Sequence, residues 1–454
     1  MSDSYQRNNH LDTGAIPITA AHPTAARQYQ NLSETGTSQK RSKTPIPGPL
    51  KVLILAAFVI ALGFGLIAPV LPRYAASFNV GVQAASAVVS MFAATRLLFA
   101  PASGKLVARW GERPIYMAGL IIVALGSLGV AISWNYPVLM AFRALGGIGS
   151  VMFTVSAMGL LVRYSPAHLR GKISGYYATA FLLGNILGPV VGSLMVGLGM
   201  RLPFVIYAVA LLIACILVFF YLKEAQYAGS IPPKTQPELS LKNAWKFTNF
   251  RAGLGTNFAI GWAALGLRVA LMPLAAVALL ASYHHGENYD PNNGGIVLAG
   301  LAMAFYAGGN AITQNISGRF SDKHGRRNLI FYGLLLAGVS TILVGVSGSP
   351  MLFIIFSITT GVGTGVLGPS LQAAIADIVG NERSGGTVLA TYQMFADLGQ
   401  IIGPLLAGWI ADHWGYNWAF GVSGALLLVM MLGWLPWRSP RFPKDLAEKG
   451  YTGR

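Results

Sequence analysis

The sequence predicts an all-α membrane protein with twelve transmembrane helices, arranged as two pseudo-symmetric bundles of six helices. Of the 454 residues, 54% are hydrophobic and only 10% are charged, whereas a soluble domain carries about 25% charged residues. The apolar residues fall into runs of about 20, the length at which a helix crosses the hydrocarbon of a bilayer. Segments of the first half recur about 214 residues later, which indicates an internal repeat.

The apolar runs place the twelve spans at residues 50–74, 83–107, 114–134, 137–163, 172–198, 201–222, 252–283, 295–317, 328–348, 350–376, 385–411 and 417–437. They lack the period-two alternation of a membrane barrel. We therefore divide the chain into a cytoplasmic tail, a first bundle, a cytoplasmic linker, a second bundle and a second tail, at residues 1–48, 49–222, 223–250, 251–437 and 438–454. The first tail is rich in Ser, Thr, Asn, Gln and Pro, and it is predicted to be disordered.

The net charge of +17 is segregated by loop. Short connections on one side of the predicted membrane carry only Arg73 and Arg201, and those on the other side carry Lys105, Arg109, Arg113, Arg163, Arg170, Lys172, Arg319, Lys323, Arg326, Arg327 and Arg383. By the positive-inside rule, both termini and the linker are predicted to be cytoplasmic. Because membrane topology accounts for the basicity, no nucleic-acid partner is expected.

Three pairs of segments define the repeat. GKLVARWGERP from Gly104 matches GRFSDKHGRRN from Gly318, GNILGPVVGS from Gly184 matches GQIIGPLLAG from Gly399, and Arg170 corresponds to Arg383. Closely spaced glycines let helix backbones approach, and a proline inside a helix frees a carbonyl and bends it. The glycine segments therefore indicate either tight packing alone or an interface that changes its packing between two states.

These motifs resemble the major facilitator superfamily. The loops from Gly104 and Gly318 resemble its signature loop, and Arg143-Ala-Leu-Gly-Gly-Ile-Gly resembles its buried-arginine motif. The fifth-span motif Gly184-x-x-x-Gly188-Pro189 resembles the drug:proton antiporter branch, as does the pair Pro69 and Pro72. The resemblance implies alternating access, gated by Gly104, Arg109, Gly111, Arg113, Gly318, Asp322, Gly325, Arg326, Gly184, Gly188, Pro189, Gly403 and Pro404.

The resemblance also implies that Asp322 closes the inner side by pairing with the start of a span in the other half. By symmetry, we expect Asp322 to meet the start of the fifth span near Arg170 and Lys172. A carboxylate near a helix N-terminus gains roughly 0.3–1 kcal/mol from the helix dipole. Ala108 occupies the equivalent position in the first half, so the two loops are expected to clamp unequally.

Four ionisable residues lie deep within the predicted spans, namely Arg96, Arg143, Arg268 and Asp397. Each costs several kcal/mol unless it is paired or faces water. Arg96, Arg143 and Asp397 are predicted to face a central cavity. Arg268 either faces that cavity or snorkels toward the surface and bonds backbone carbonyls.

Proton coupling needs a group that changes its charge, and arginine does not, because its pKa stays above about 12. Asp397 is the one mid-span carboxylate and is the predicted proton carrier, with Arg143 coupling protonation to occupancy. The alternative is a permanent ion pair of Asp397 with an arginine that only joins helices. The first span has no acidic residue, which departs from many exporters of cationic drugs in the family.

Three arginines against one aspartate favour an anionic or zwitterionic solute over a bare cation. Polar and aromatic groups elsewhere in the spans would suit an amphiphilic solute. The predicted substrate-binding residues are Arg96, Arg143, Arg268, Tyr177, Asn310, Gln314, Tyr392 and Gln393.

The resulting hypothesis is a monomeric secondary active transporter of the plasma (inner) membrane that exports amphiphilic or drug-like solutes in exchange for protons. Its expected partners are a small amphiphilic or anionic solute, protons and the lipid bilayer. Two alternatives are a proton-coupled importer of an organic anion and a lipid or glycolipid flippase. No catalytic residue, cofactor or metal site is predicted, and an intramembrane enzyme is disfavoured because the sequence shows no nucleophile–base pair or metal-ligand cluster.

Overall fold

A computed structural model describes residues 48–164, 170–222, 239–283, 291–379 and 386–435 of the chain. Within these ranges it describes every side chain except those of residues 162–163, 170–172, 174, 196, 291–292, 318–319, 321–324 and 386. The predicted tails therefore lie largely outside the described residues, as do residues 223–238 of the predicted linker.

The N-terminal half consists of seven helices that form six spans. They are α1 (Gly48–Ile67), α2 (Leu71–Ala76), α3 (Val82–Trp110), α4 (Glu112–Ala131), α5 (Tyr136–Tyr164), α6 (Arg170–Leu194) and α7 (Leu202–Tyr221). Helices α1 and α2 together make the first span. Pro69 lies at the break between them, where its missing N–H group interrupts the helical hydrogen bonds. Pro72 lies in the first turn of α2, where a proline is tolerated.

The C-terminal half repeats this order. It contains α8 (Leu241–Ala244), α9 (Thr248–Ile260), a π-helical segment (Gly261–Leu267), α10 (Arg268–Ala270), α11 (Met272–Tyr283), α12 (Pro291–His324), α13 (Arg326–Gly345), α14 (Pro350–Val379), α15 (Gly386–Trp414) and α16 (Tyr416–Met431). Eleven of the helices in the described part of the chain are long and apolar enough to cross a membrane, and a bent pair makes the twelfth span. The predicted fold class is confirmed.

The seventh span, predicted as one helix over 252–283, is bent by 51° between Ala270 and Met272. Pro273 explains the bend, because its ring clashes with the carbonyl of Val269 one turn earlier. The π-helical turn before the bend widens the helix. The span therefore has a defined break at the depth of Arg268.

The C-terminal half begins earlier than the sequence suggested. Residues 239–250 were assigned to the polar linker, but Leu239, Ala244 and Phe250 are at most 1% exposed within the core of this half. Trp434, from the other end of the half, bonds the hydroxyl of Thr256 at 2.9 Å. Burial of these apolar side chains adds residues 239–250 to the second bundle.

The internal repeat is visible in the backbone of the two signature loops. Gly111 ends α3 with φ 83°, and Gly325, 214 residues later, precedes α13 with φ 84°. Side chains other than glycine rarely adopt this left-handed conformation. Both sharp connections thus need glycine at the same position of the repeat.

The two halves meet along α3 with α15 and along α6 with α12. The closest contacts lie toward one end, where Asp412 bonds the start of α3 and a Cβ on Gly300 would lie 2.4 Å from Ser193. At the other end, a Cβ added to Gly104 or Gly175 would meet no atom within 4 Å. The described contacts between the halves are therefore tight at the Asp412 end. We call the opposite end, which carries Arg109 and Arg113, the basic end.

Candidate functional site

Arg96 lies on α3, at the boundary between the two halves. Its Nη1 donates a hydrogen bond to the hydroxyl of Ser150 on α5 at 3.2 Å, and its guanidinium lies 5.9 Å from the ring centre of Phe92. The side chain is half-buried. Helix α5 therefore fixes the position of the charge within the N-terminal half.

Asp397 lies on α15 and faces Arg96 from the other half. The charges of the two side chains interact, yet among the described side chains they form no direct salt bridge. Gln393, one helical turn earlier, is exposed and lies beside the carboxyl group. The half-buried Asp397 is thus the carboxylate that a change in the packing of the two halves would bring closer to Arg96 or move away from it.

Arg143 lies on α5, with its guanidinium 4.5 Å from the ring centre of Phe92. Its Nε is buried and has no hydrogen-bond partner within the described ranges. Its charge interacts with Tyr207 of α7. One aromatic ring, Phe92, therefore lies against both arginines of the N-terminal half.

A pocket borders Phe92, Arg143 and Tyr207 and is lined mainly by α1, α3, α4, α5 and α7. Arg96 and Asp397 do not line it. Its wall is apolar except for a few groups that include Arg143, Tyr207 and Ser127. Val269 and Gln400 of the C-terminal half also contribute to the wall. We call it the N-cavity; it combines apolar surface with a guanidinium, as an amphiphilic solute requires.

Arg268 follows the π-helical turn of the seventh span. Its Nε donates to the carbonyl of Ala264 at 2.9 Å, and its guanidinium lies 4.2 Å from the ring centre of Tyr306 on α12. It lines a separate cavity inside the C-terminal half. Arg268 thus bonds a backbone carbonyl of its own helix and borders a cavity other than the N-cavity. Its role in substrate binding stays a prediction.

The other predicted binding residues are dispersed. Asn310 donates to the hydroxyl of Thr364 at 3.1 Å, and Gln314, one turn further along α12, is exposed. Tyr177 is half-buried and its phenol interacts electrostatically with that of Tyr116.

Tyr392 lies within the core of the C-terminal half at 9% exposure. Its backbone carbonyl accepts a hydrogen bond from Asn257 at 2.6 Å. The structure therefore brings Arg96, Asp397 and Gln393 together, whereas Tyr392 belongs to the packing of the bundle.

The glycine motifs lie where helix backbones touch. A Cβ on Gly188 would lie 2.5 Å from the carbonyl oxygen of Leu62, and a Cβ on Gly403 would lie 2.9 Å from the Cα of Trp262. Such distances exclude any side chain. Gly184, Pro189 and Pro404 take part in the same two helix pairs, α1 with α6 and the seventh span with α15.

At the basic end, the signature loops are tied to neighbouring helices. Arg113 donates to the carbonyl of Phe219 at 2.6 Å, and Arg326 bonds the carbonyl of Ala373 and pairs with Asp377. Arg109 lies 6.0 Å from the ring centre of Trp110. The expected pairing of Asp322 with Arg170 and Lys172, and the surroundings of Gly318, lie outside the described side chains.

Sequence reasoning missed Asp412, which lies on the last turn of α15. Its two carboxylate oxygens accept hydrogen bonds from the backbone N–H groups of Val82 and Gln83, both at 2.8 Å. These groups open α3 and have no partner within their own helix. The sequence does contain a relevant feature, because Asp412 lies at the end of a predicted span. A carboxylate at that depth can bond the free backbone N–H groups at the N-terminus of a neighbouring helix.

No group of three metal-ligating side chains occurs within the described residues. The arrangement offers a carboxylate and arginines at mid-depth, between two helical repeats that meet closely at the Asp412 end. This is the architecture of a secondary transporter.

The chain belongs to the Major Facilitator Superfamily, whose family model matches residues 53–297 and 258–452. It is 26% identical to the multidrug resistance protein 1 of Bacillus subtilis over 394 residues, which cover 86% of this chain and 96% of that protein. It is 26% identical to the quinolone resistance protein NorA of Staphylococcus aureus over 389 residues, covering 84% and 95%. The predicted family is confirmed.

The fold also matches the crystal structure of a bacterial homologue of the human lysosomal transporter Spinster in an inward-facing, occupied conformation. The TM-score is 0.69, at 15% identity, over 85% of this chain and 95% of the other. At this identity the likeness concerns the fold alone.

Proposed function

We propose that this chain is a proton-coupled exporter of amphiphilic, drug-like solutes that works by alternating access. The observation that carries the proposal is the position of Asp397, which faces Arg96 across the boundary between the two halves without a direct ion pair. A half-buried carboxylate that can gain a proton at this boundary links protonation to the packing of the halves.

The proton and the solute would compete for Asp397. When the carboxyl group is ionised, it compensates the charge of Arg96 and attracts the cationic end of a solute. When it is protonated, that attraction is lost and Arg96 is left uncompensated. A solute that binds the ionised form and a proton that replaces it on the other side of the membrane produce antiport.

Two features support alternating access as the transport mode. Asp412 of α15 bonds the start of α3, and this contact joins the two halves at the Asp412 end. The glycine interfaces of α6 and α15 allow backbones to slide without side-chain interference. The predicted gating residues, including Arg113 and Arg326, would act at the basic end.

The names of the two relatives support a drug-like substrate, since one is a multidrug and the other a quinolone resistance protein. The lining of the N-cavity has the chemistry that such a solute needs, because Arg143, Tyr207 and Gln400 are polar groups in an apolar wall. We propose the plasma membrane as the location. The excess of Arg and Lys in the loops of the basic end supports cytoplasmic termini.

The test uses purified full-length protein in proteoliposomes that contain a pH-sensitive dye. A pH gradient is imposed, and matched cationic, zwitterionic and anionic amphiphiles are added to wild type, Asp397→Asn and Asp412→Asn. We expect solute-dependent proton release that Asp397→Asn abolishes. Asp412→Asn, a change of the same chemistry on the same helix, should retain coupling. Equal coupled flux in wild type and Asp397→Asn would refute the proposal.

The excess of arginine at mid-depth favours one alternative, the proton-coupled import of an organic anion. In that case protonation of Asp397 would free Arg96 to bind the anion, so protons and solute would move in the same direction. The same assay separates the two, because an anion-dependent proton influx in the direction of solute movement identifies symport.

A further inference from the structure

The internal repeat relates two cavities that differ in the helix that supplies their arginine. Phe92 borders the N-cavity, and Tyr306, 214 residues later, borders a second cavity inside the C-terminal half, which we call the C-cavity. In the N-cavity, Arg143 of α5 covers the ring at 4.5 Å. In the C-cavity, Arg268 of the seventh span covers it at 4.2 Å.

The arginine of the C-cavity comes from a different helix than the repeat would predict. Position 357, 214 residues after Arg143, is a serine that lines the C-cavity. A second pair of contacts supports the 214-residue correspondence between the two halves. Arg96 bonds Ser150 and Asn310 bonds Thr364, each across 54 residues. Both halves thus place a guanidinium against the equivalent ring, by separate routes.

The charge of Arg268 is uncompensated within the described residues. Its one hydrogen bond there is from Nε to the carbonyl of Ala264, and the group that interacts with its charge is the phenol of Tyr306 rather than a carboxylate. Arg268 is half-buried, and a cation without a counter-charge is destabilised by the partial loss of its hydration. An anion that entered the cavity would remove this cost.

We propose that the C-cavity binds a carboxylate group, with the Nη1 and Nη2 atoms of Arg268 as its donors. A guanidinium presents these two donors as a planar fork that matches the two oxygens of a carboxylate. The hydroxyls of Ser357 and Thr360 donate to carbonyls of their own helix at 2.6 and 2.8 Å. Arg268 is therefore the main donor, which suits a monocarboxylate better than a phosphate.

The rest of the lining indicates what the carboxylate is attached to. Leu267, Met272, Val344 and Phe420 are apolar, and the ring of Tyr306 forms one wall. An aromatic or short aliphatic body would be buried against them. The inferred ligand class is a small organic monocarboxylate, or the carboxylate end of a larger solute.

The C-cavity adjoins the N-cavity through consecutive residues of the seventh span. Arg268 borders the C-cavity, and Val269 borders the N-cavity. The 51° bend follows immediately. Occupation of the C-cavity would therefore act on the segment that separates the two cavities.

The test is equilibrium binding to the full-length protein in nanodiscs, without a pH gradient, so that it does not depend on proton coupling. Radiolabelled benzoate, benzylammonium and benzyl alcohol share one ring and differ in charge. We expect benzoate alone to bind, Arg268→Gln to weaken its binding at least tenfold, and Arg268→Lys to weaken it less. Arg251→Gln, an exposed arginine earlier on the same span, is the matched control and should bind as wild type.

A second variant covers the case in which Arg268→Gln does not fold. Thr360→Phe keeps Arg268 but fills the C-cavity, and it should abolish benzoate binding. Undiminished benzoate binding in either variant, or equal binding of the three compounds, would overturn the proposal. So would loss of binding in Arg143→Gln alone, which would assign benzoate to the N-cavity. Asp397→Asn should still bind benzoate, so failure of this site and failure of proton coupling are separate results.

Discussion

Arg96 and Asp397 face each other from the two halves of the molecule, yet Arg96 bonds the hydroxyl of Ser150 and not the carboxylate. The described side chains show no direct contact between the two charges. We propose that this separation lets Asp397 exchange a proton, and Asp397→Asn tests this proposal against the alternative of a permanent ion pair.

Asp397→Asn separates binding from coupling. We expect the variant to catalyse solute exchange across proteoliposomes at equal pH but to lose accumulation driven by a pH gradient, because asparagine cannot release a proton. Radiolabelled solute uptake with and without the gradient measures both. Gradient-driven accumulation at the wild-type level would exclude Asp397 as the carrier.

Asp412→Asn should weaken the closed state at the Asp412 end. The carboxylate at the start of α3 contributes roughly 0.3–1 kcal/mol, so the closed population should fall about two- to fivefold relative to the open one. The accessibility of a cysteine at position 86, introduced by Ser86→Cys in a Cys215→Ala background, measures the population of the closed state. Ser86 is 0% exposed and lies beside Gly408. Labelling by an impermeant maleimide should be faster when Asp412→Asn is added. An unchanged rate would mean that apolar packing alone closes this end.

Gly188→Ala should damage the α1–α6 interface, since its Cβ would lie 2.5 Å from the carbonyl of Leu62. Overpacking of this kind costs about 1–3 kcal/mol. We expect a lower thermal unfolding temperature in detergent and a lower transport rate. Gly175→Ala on the same helix is the control, because its Cβ meets nothing within 4 Å. Similar behaviour of the two variants would refute the packing argument.

Gly111→Ala tests the signature loop. At φ 83° an alanine is strained by roughly 1–2 kcal/mol, although a Cβ there meets no neighbour within 4 Å. The expected result is a lower unfolding temperature, whereas Gly104→Ala, within α3, should unfold at the wild-type temperature or above it, because alanine is the better helix former. If both variants were equally stable, the backbone conformation of Gly111 would not matter to the fold.

Apolar run length and the internal repeat were enough to predict the twelve spans, because a bilayer imposes both. They could not locate the start of the second half, since Phe247 and Phe250 belong to a short polar-looking stretch whose burial depends on tertiary packing. The bend of the seventh span was implicit in Pro273, but a proline alone does not indicate whether a span breaks.

The site was predictable in part for a similar reason. Charged residues near the middle of a membrane span are rare, so they can be recognised in a single sequence. This criterion identified Arg96, Arg143, Arg268 and Asp397. The spatial arrangement of these residues could not be predicted. The sequence alone does not show that Arg143 and Arg268 line two separate cavities. Tyr392 shows this limit of prediction from sequence. It is adjacent to Gln393 in the chain and therefore lies on a different face of α15, where it packs inside the bundle.

The cap that Asp412 forms on α3 has an electrical consequence. Its contribution of roughly 0.3–1 kcal/mol is smaller than the 2.3 kcal/mol or so that one elementary charge gains in crossing a membrane potential of 100 mV. A single proton that moves through the field as the halves repack therefore carries enough energy to release the cap. The resting voltage of the cell, and not only its pH gradient, would then influence how long this end of the protein stays shut.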